Sequence, residues 1–118
     1  MQALLAVTVG GGIGSALRYL ISDPLNQRMP ALGTAVVNIT GSLALGVLVG
    51  WYSSRDGGGT VRLALGTGLL GGFTTFSAWM AESVEAFDRP GRLALTVIAP
   101  VVGGLLAAWA GVRLGRAV

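Results

Sequence analysis

The chain has 118 residues, of which 53% are hydrophobic and only 11% are charged, whereas soluble domains carry about 25% charged residues. It contains no cysteine and no histidine, which excludes disulfides, thiolate nucleophiles, zinc or haem ligation by these side chains, and imidazole acid–base chemistry. The composition therefore favours a membrane protein and argues against an enzyme.

The charged residues lie in clusters, and the charge-free blocks between them cover residues 1–17, 29–54, 63–81 and 93–112. A transmembrane helix needs about 20 apolar residues, so each block is long enough for one span. We therefore predict an all-α membrane protein in which residues 1–118 form a single domain of four transmembrane helices. With turn and breaker residues as limits, the predicted helices cover about 3–21, 33–52, 61–88 and 92–112. The first is expected to end at Ser22-Asp23-Pro24.

The arginines carry information on orientation. In a four-span protein, both termini and the middle loop share one side of the membrane, and this side holds four arginines, as does the other side. The two sets are Arg55, Arg62, Arg113 and Arg116, and Arg18, Arg28, Arg89 and Arg92. An equal count gives the positive-inside rule no preference, which predicts dual topology and an antiparallel dimer. The alternative is a single topology set by other features. The arginines are dispersed, unlike the clustered basic face of a nucleic-acid-binding protein.

Small residues recur at four-residue spacing in every predicted helix, and the chain has 20 glycines in all. Membrane helices associate through close backbone contact at such residues, so we interpret these faces as helix-packing surfaces. The spaced residues are Gly10 and Gly14, Ser42, Gly46 and Gly50, Gly68 and Gly72, and Gly111 and Gly115.

Two polar features are not explained by packing. Asn38 lies inside the second helix, where its amide is either a hydrogen bond between helices or a neutral donor for an anion; spacing alone leaves both open. The segment Gly71–Ser77 is a weak place for a helix, so we predict a mid-membrane break near residues 71–76. Phe76 and Trp79 follow on one face, where ring edges carry positive potential suited to a small anion.

Three stretches in this order and spacing resemble the signature motifs of the CrcB/Fluc family of fluoride channels: Gly11–Tyr19, Gly33–Asn38 with Gly41-Ser42, and Gly68–Ser77. The resemblance implies an antiparallel, dual-topology dimer in the inner membrane, with two fluoride pores and a structural sodium ion at the centre of the interface. It also implies the activity, which is passive export of toxic fluoride.

By the same resemblance, the pore-lining residues are Asn38, Thr75, Phe76, Ser77 and Trp79. The sodium ligands are the backbone carbonyl groups of Gly71 and Thr74. Arg18 matches a vestibule arginine, although an arginine at a helix end also extends to lipid headgroups. Glu82 matches an acidic residue that follows the aromatic positions, and its alternative is the solvated end of a helix.

Two departures from the family pattern leave the assembly open. Trp79 replaces the second pore phenylalanine, and Pro100 and Gly104 occupy places where the family has hydrogen-bonding side chains. The chain forms either a homodimer or a heterodimer with a paralogous subunit, and in the second case one alternative is that it is the non-conducting partner.

Two other classes of protein compete with the channel. A small four-helix multidrug exporter would need a carboxylate within a span, and a purely structural membrane protein would need neither the broken helix nor the buried asparagine.

Overall fold

The computed structural model describes residues 1–53, 55 and 58–118, and this part of the chain is all-helical. Helix α1 covers Gln2–Arg28 and α2 covers Leu32–Tyr52. Helix α3 covers residues 59–73, α4 covers Phe76–Glu85, and α5 covers Pro90–Ala117. Among the described residues, α1, α2 and α5 are the three helices that are long and apolar enough to cross a membrane.

Helix α1 is longer than the sequence predicts, because it continues through Pro24 to Arg28 instead of ending at Ile21. The expected stop at Pro24 is wrong. A proline removes one backbone donor but does not prevent a helix where other contacts hold it. Here the Gln27 amide donates to the Asp23 carboxylate at 2.8 Å within the last turns. The Asn26 carbonyl oxygen accepts from the backbone N–H of Gly33 at 2.7 Å, which ties the extension to the start of α2.

The third predicted helix is two helices in the structure. Helix α3 begins with an α-helical turn at Gly59–Arg62, widens to π-helical geometry over Leu63–Leu70 and closes with the turn Gly71–Phe73. Thr74 and Thr75 have extended backbone, and α4 starts directly after them and ends before the predicted limit at residue 88. The extended pair lies within residues 71–76, where the sequence predicts an interruption.

Glycine pairs hold the long helices together. The α1–α3 contact brings a Cβ built on Gly68 to 3.2 Å from the Gly10 Cα. In the α2–α5 contact, a Cβ on Gly111 lies 3.0 Å from the Gly46 Cα, and a Cβ on Gly50 lies 3.0 Å from the Gly115 Cα. Distances of 3.0–3.2 Å are tighter than most real Cβ contacts. A Cβ on Gly10, Gly46, Gly50 or Gly111 would also overlap a backbone carbonyl oxygen of the neighbouring helix, so glycine is required at these positions. The predicted role of the small-residue faces in helix packing is confirmed.

The molecule is a slab of 48 × 30 × 19 Å. Its longest extent matches the thickness of a bilayer with its headgroups, about 40–45 Å. Apolar side chains that are fully or nearly fully buried are few, Val37 and Ala86 in the described part, while many large apolar side chains face outward. An outward apolar surface on a thin helical slab is what lipid or a second membrane subunit covers.

Candidate functional site

The site is built around the extended pair between α3 and α4. Thr74 has φ −84° and ψ 160°, and Thr75 has φ −148° and ψ 121°. Two consecutive extended residues remove the helical hydrogen bonds that would cross them, so carbonyl and N–H groups at the two helix ends need other partners.

Asn38 supplies two of those partners. Its Nδ2 donates to the Thr75 carbonyl oxygen at 2.9 Å, and its Oδ1 accepts from the Thr75 N–H at 2.8 Å. One amide side chain thus satisfies both backbone groups of the same extended residue. Of the two Nδ2 hydrogens, one is used in this pair and the other remains to donate to a ligand. Asn38 therefore forms a bond between helices, which is one of the two roles that spacing alone leaves open.

The Thr75 side chain begins α4. Its hydroxyl oxygen accepts from the Ala78 N–H at 3.2 Å, in the manner of a helix N-cap, and lies 3.4 Å from the Ser77 hydroxyl. Because only one of two paired hydroxyl hydrogens is used between them, the other is available at the start of α4. The first N–H groups of this helix also carry partial positive charge.

Arg18 binds the same segment from the other side. Its Nη1 donates to the Thr74 carbonyl oxygen at 3.0 Å. Arg18 lies well inside α1, which extends to Arg28, and its guanidinium contacts the interrupted backbone. Charged residues inside membrane helices that pair with a backbone carbonyl are often found along ion pathways.

A cavity of about 450 Å³ opens beside the extended pair. Asn38, Thr75, Phe76 and Trp79 all line it, as do Ser42 and Thr74. The Phe76 and Trp79 rings meet edge to face, with centroids 5.5 Å apart and planes at 78°. In this geometry the positively polarised edge of one ring meets the negatively polarised face of the other.

Helix α5 provides the opposite wall, and its contribution is apolar. The α5 residues of the lining are Pro100, Val101, Gly104, Leu105 and Ala108. A Cβ built on Gly104 lies 3.6 Å from the Ser42 hydroxyl oxygen, so the hydroxyl on α2 faces the bare backbone of α5. The Trp79 Nε1 donates to the Thr96 carbonyl oxygen of α5 at 2.5 Å.

A polar cluster joins the ends of α1, α2 and α4, and it was not predicted from the sequence. Glu82 Oε1 accepts from the Thr34 hydroxyl at 2.6 Å and from the Asn26 amide at 3.2 Å, while Oε2 is buried with no hydrogen-bond partner in the structure. Glu82 is therefore not a freely solvated helix end. The only signal in the sequence was the polar character of Asn26 and Thr34, which does not reveal that they meet Glu82.

Comparison with known proteins identifies the family. A family model described as CrcB-like protein, Camphor Resistance (CrcB), matches residues 5–112. The chain belongs to the CrcB family. A relative from Sphingopyxis alaskensis, named fluoride-specific ion channel FluC, is 44% identical over 98% of this chain and 97% of its own length.

Two further CrcB relatives carry numbered names. Fluoride-specific ion channel FluC 1 of Geobacillus kaustophilus is 36% identical over 98% of this chain and all of its own length. Fluoride-specific ion channel FluC 2 of Bacillus licheniformis is 35% identical over all of this chain and 90% of its own length. Together with the three long apolar helices, these matches make the chain a multi-pass membrane protein.

The structure brings together four of the five residues predicted to line a pore. Asn38, Thr75, Phe76 and Trp79 share the cavity, whereas Ser77 is exposed and reaches it only through the Thr75 hydroxyl. Arg18 and Gly71 lie outside the cavity lining, and Arg18 contacts the site through the Thr74 carbonyl.

Proposed function

We propose that this protein is a fluoride-selective channel that lets toxic fluoride leave the cell passively across the inner membrane, and that it is not an enzyme. The observation that supports this proposal most strongly is the cavity. In it, the extended residues Thr74 and Thr75, the second of which is bonded to Asn38, lie beside the Phe76 and Trp79 rings. Relatives that align over nearly the whole chain and are named fluoride-specific ion channels support the choice of ion.

Fluoride is small and strongly hydrated, so a selective path has to replace its water with well-placed donors. The second Nδ2 hydrogen of Asn38 and one hydroxyl hydrogen of the Thr75–Ser77 pair are such donors, and both are neutral. Neutral donors stabilise an anion without the full attraction of a fixed positive charge, so the ion is able to leave again. Phe76 and Trp79 line the same cavity, where a ring edge turned towards the ion would add weak positive potential.

For the fold, we propose four membrane spans per subunit, with α3 and α4 together forming a third span that is broken at mid-membrane. The interruption at Thr74 and Thr75 supports this proposal, because irregular backbone is tolerated at membrane depth only in protein contact or at a cavity.

We further propose the antiparallel, dual-topology dimer. Phe76 is 68% exposed in the single subunit although it lines the cavity, which leaves room for a second subunit to complete the path. Since Arg18 lies inside α1, the arginines near the two membrane surfaces number four on one side and three on the other, still without a strong bias.

A structural sodium ion at the dimer interface is the third part of the proposal. Its predicted ligands, the Gly71 and Thr74 carbonyl groups, differ in how well they fit a cation. Thr75 N–H donates to Asn38 instead of completing an α-turn to Gly71, so this donor does not compete with a cation for the Gly71 carbonyl. The Thr74 carbonyl already accepts from the Arg18 guanidinium. Two positive charges that bind one oxygen repel each other at short distance, so sodium and Arg18 compete at Thr74.

A specific observation also favours a second candidate, a heterodimer in which this chain conducts only with a paralogous subunit. The α5 wall of the cavity presents no side-chain donor, and a paralogue with polar residues on its own α5 would supply what this chain lacks. Relatives whose names are numbered 1 and 2 are compatible with such pairing.

The test is ion release from liposomes that contain the purified protein, read with fluoride and chloride electrodes. We expect rapid loss of fluoride and retention of chloride, from the protein alone or after addition of a paralogous subunit. If neither ion is released, either from the protein alone or with the paralogous subunit, the channel proposal is wrong. Proton-coupled uptake of a cationic dye would then identify an exporter.

A further inference from the structure

The cavity contains a hydroxyl group without a hydrogen-bond partner. Ser42 is half-buried on the α2 wall, and within residues 1–53, 55 and 58–118 its Oγ forms no hydrogen bond. In this part of the chain the buried side-chain atom without a partner is Glu82 Oε2, so the Ser42 Oγ is not enclosed by protein but open to the cavity. The hydroxyl hydrogen is therefore able to donate to a ligand there.

Other hydroxyl groups on the helices are bonded within their own helix. Thr40 on α2 donates to the Val36 carbonyl oxygen at 2.7 Å, and Ser83 on α4 donates to a carbonyl of its preceding turn in the same way. Such bonds are the usual means by which serine and threonine satisfy a hydroxyl in a membrane helix. Ser42 has the Asn38 carbonyl four residues before it and, in the described structure, does not donate to it. The Ser42 hydroxyl is thus left for something other than its own backbone.

The hydroxyl faces the wall of the cavity that has no side-chain donor. The α5 residues of the lining are Pro100, Gly104 and three residues with apolar side chains. A Cβ built on Gly104 lies 3.6 Å from the Ser42 Oγ, which is ordinary van der Waals contact. Because Gly104 has no side chain, this position of α5 leaves the hydroxyl uncovered. A side chain longer than one methyl group at position 104 would reach into the space in front of it.

We propose that Ser42 binds the ion in transit and supplies from α2 the donor that the α5 wall lacks. Asn38 and Ser42 are four residues apart on one helix face, which is about 6 Å along the axis. The two neutral donors therefore lie on successive turns of α2, so an ion that leaves the second Asn38 N–H meets the Ser42 hydroxyl next. Gly104 keeps the place opposite the hydroxyl free for the ion. This assignment rests on the proposed channel function, and it favours a chain that conducts without a polar α5 from a paralogue.

The first experiment removes the hydroxyl. In S42A the fluoride flux from liposomes should fall by about tenfold, because a hydrogen bond to a charged group is lost. The melting temperature should change little, since the hydroxyl has no partner in the described structure. T40V is the matched control, because it removes a hydroxyl two residues away that is bonded within its own helix. A flux in S42A equal to that of the unchanged protein overturns the assignment, and so does an equal loss of flux in T40V.

The second experiment moves the hydroxyl to the opposite wall. In the S42A background, G104S places a hydroxyl on α5 next to the space that the Ser42 Oγ borders. We expect S42A/G104S to recover most of the lost flux and S42A/G104A to recover none, because G104A adds the carbon without the oxygen. If S42A/G104S melts at the same temperature as S42A and recovers no flux, the ion does not depend on a hydroxyl at this place. Equal recovery in S42A/G104A overturns the proposal in the same way.

A binding measurement separates Ser42 from the channel. The purified protein in detergent micelles is titrated with potassium fluoride, and the backbone amide signal of Gly104 is followed by nuclear magnetic resonance, with potassium chloride as the reference salt. A shift that requires fluoride and is lost in S42A supports Ser42 as an ion-binding residue. If that protein releases no fluoride from liposomes, the channel alone is wrong. A conducting protein whose flux is unchanged in S42A removes Ser42 alone, and the absence of both shift and flux overturns both proposals.

Discussion

Asn38 binds both backbone polar groups of Thr75, donating to its carbonyl oxygen at 2.9 Å and accepting from its N–H at 2.8 Å. A side chain on α2 thereby replaces the hydrogen bonds that the chain gives up between α3 and α4. The same amide keeps one N–H for a ligand. The structure of the break and the proposed ion contact therefore depend on one residue, and substitutions there should affect both.

Asn38→Asp should abolish most fluoride flux and destabilise the subunit. The carboxylate still accepts from the Thr75 N–H, but its second oxygen faces the Thr75 carbonyl oxygen with no hydrogen between them, and its charge repels the anion. We expect a loss of about 1–3 kcal/mol in the free energy of unfolding. Thr40→Val is the control, since the exposed Thr40 hydroxyl bonds only to carbonyl groups of its own helix. If Asn38→Asp and Thr40→Val have the same melting temperature and the same fluoride flux, Asn38 does not hold Thr75 as described.

Phe76→Ile should reduce fluoride flux by about tenfold, because an edge-to-face aromatic pair is worth about 0.5–1.5 kcal/mol and the polarised ring edge is lost. Phe87→Ile is a closely matched control. Phe76 and Phe87 are 68% and 67% exposed, but Phe87 does not line the cavity. Size-exclusion chromatography should show both variants in the same assembly as the unchanged protein. If Phe87→Ile lowers flux as much as Phe76→Ile, the effect is not due to the cavity.

One added methyl group should lower the melting temperature at one glycine of α1 and not at another. A Cβ built on Gly14 overlaps the Leu69 carbonyl and lies 2.8 Å from the Phe73 nitrogen, whereas a Cβ on Gly12 has no atom within 4 Å. Overpacking costs about 1–3 kcal/mol, so Gly14→Ala should lower the melting temperature and Gly12→Ala should not. Similar melting temperatures for both variants would show that α1 and α3 do not approach as closely as described.

Arg18→Gln should strengthen the stabilising effect of sodium. Glutamine is able to donate to the Thr74 carbonyl but carries no charge, so it no longer repels a cation at that oxygen. Ligands that bind the folded state raise its stability, so melting temperatures measured against sodium concentration should rise at lower sodium in Arg18→Gln. Arg113→Gln is the control, because Arg113 lies over the Trp109 ring. If the melting temperature of Arg18→Gln depends on sodium concentration as that of the unchanged protein does, sodium and Arg18 do not compete at Thr74.

The sequence predicts features that depend on residue type and spacing. The glycine faces at Gly10, Gly14, Gly46 and Gly111 follow from the four-residue repeat, because only glycine lets membrane helices touch through their backbones. The interruption near Thr74 follows from a weak helical segment. Asn38 stands out because an amide inside a membrane span needs a partner, although the identity of that partner depends on the extended backbone of Thr75.

Other features depend on contacts between distant segments and could not be predicted. The expectation that a helix ends before Pro24 uses only the local sequence. The length of α1 depends instead on the hydrogen bond between Asn26 and Gly33 at the start of α2. The Glu82 cluster requires three helix ends to meet. The bond from Trp79 to Thr96 requires the approach of α4 to the π-helical backbone of α5.

The glycine pairs between α2 and α5 have a consequence for the size of the cavity. Leu45 and Ala108, which line it, are each within three residues along the chain of Gly46 or Gly111. Backbone contact at those glycines leaves no layer of rotatable side chains whose rearrangement could alter the helix separation. The distance between the α2 and α5 walls is therefore set by van der Waals contact between the two backbones. For a channel that must distinguish ions by fractions of an ångström, such a rigid spacer gives the path the same width in every molecule.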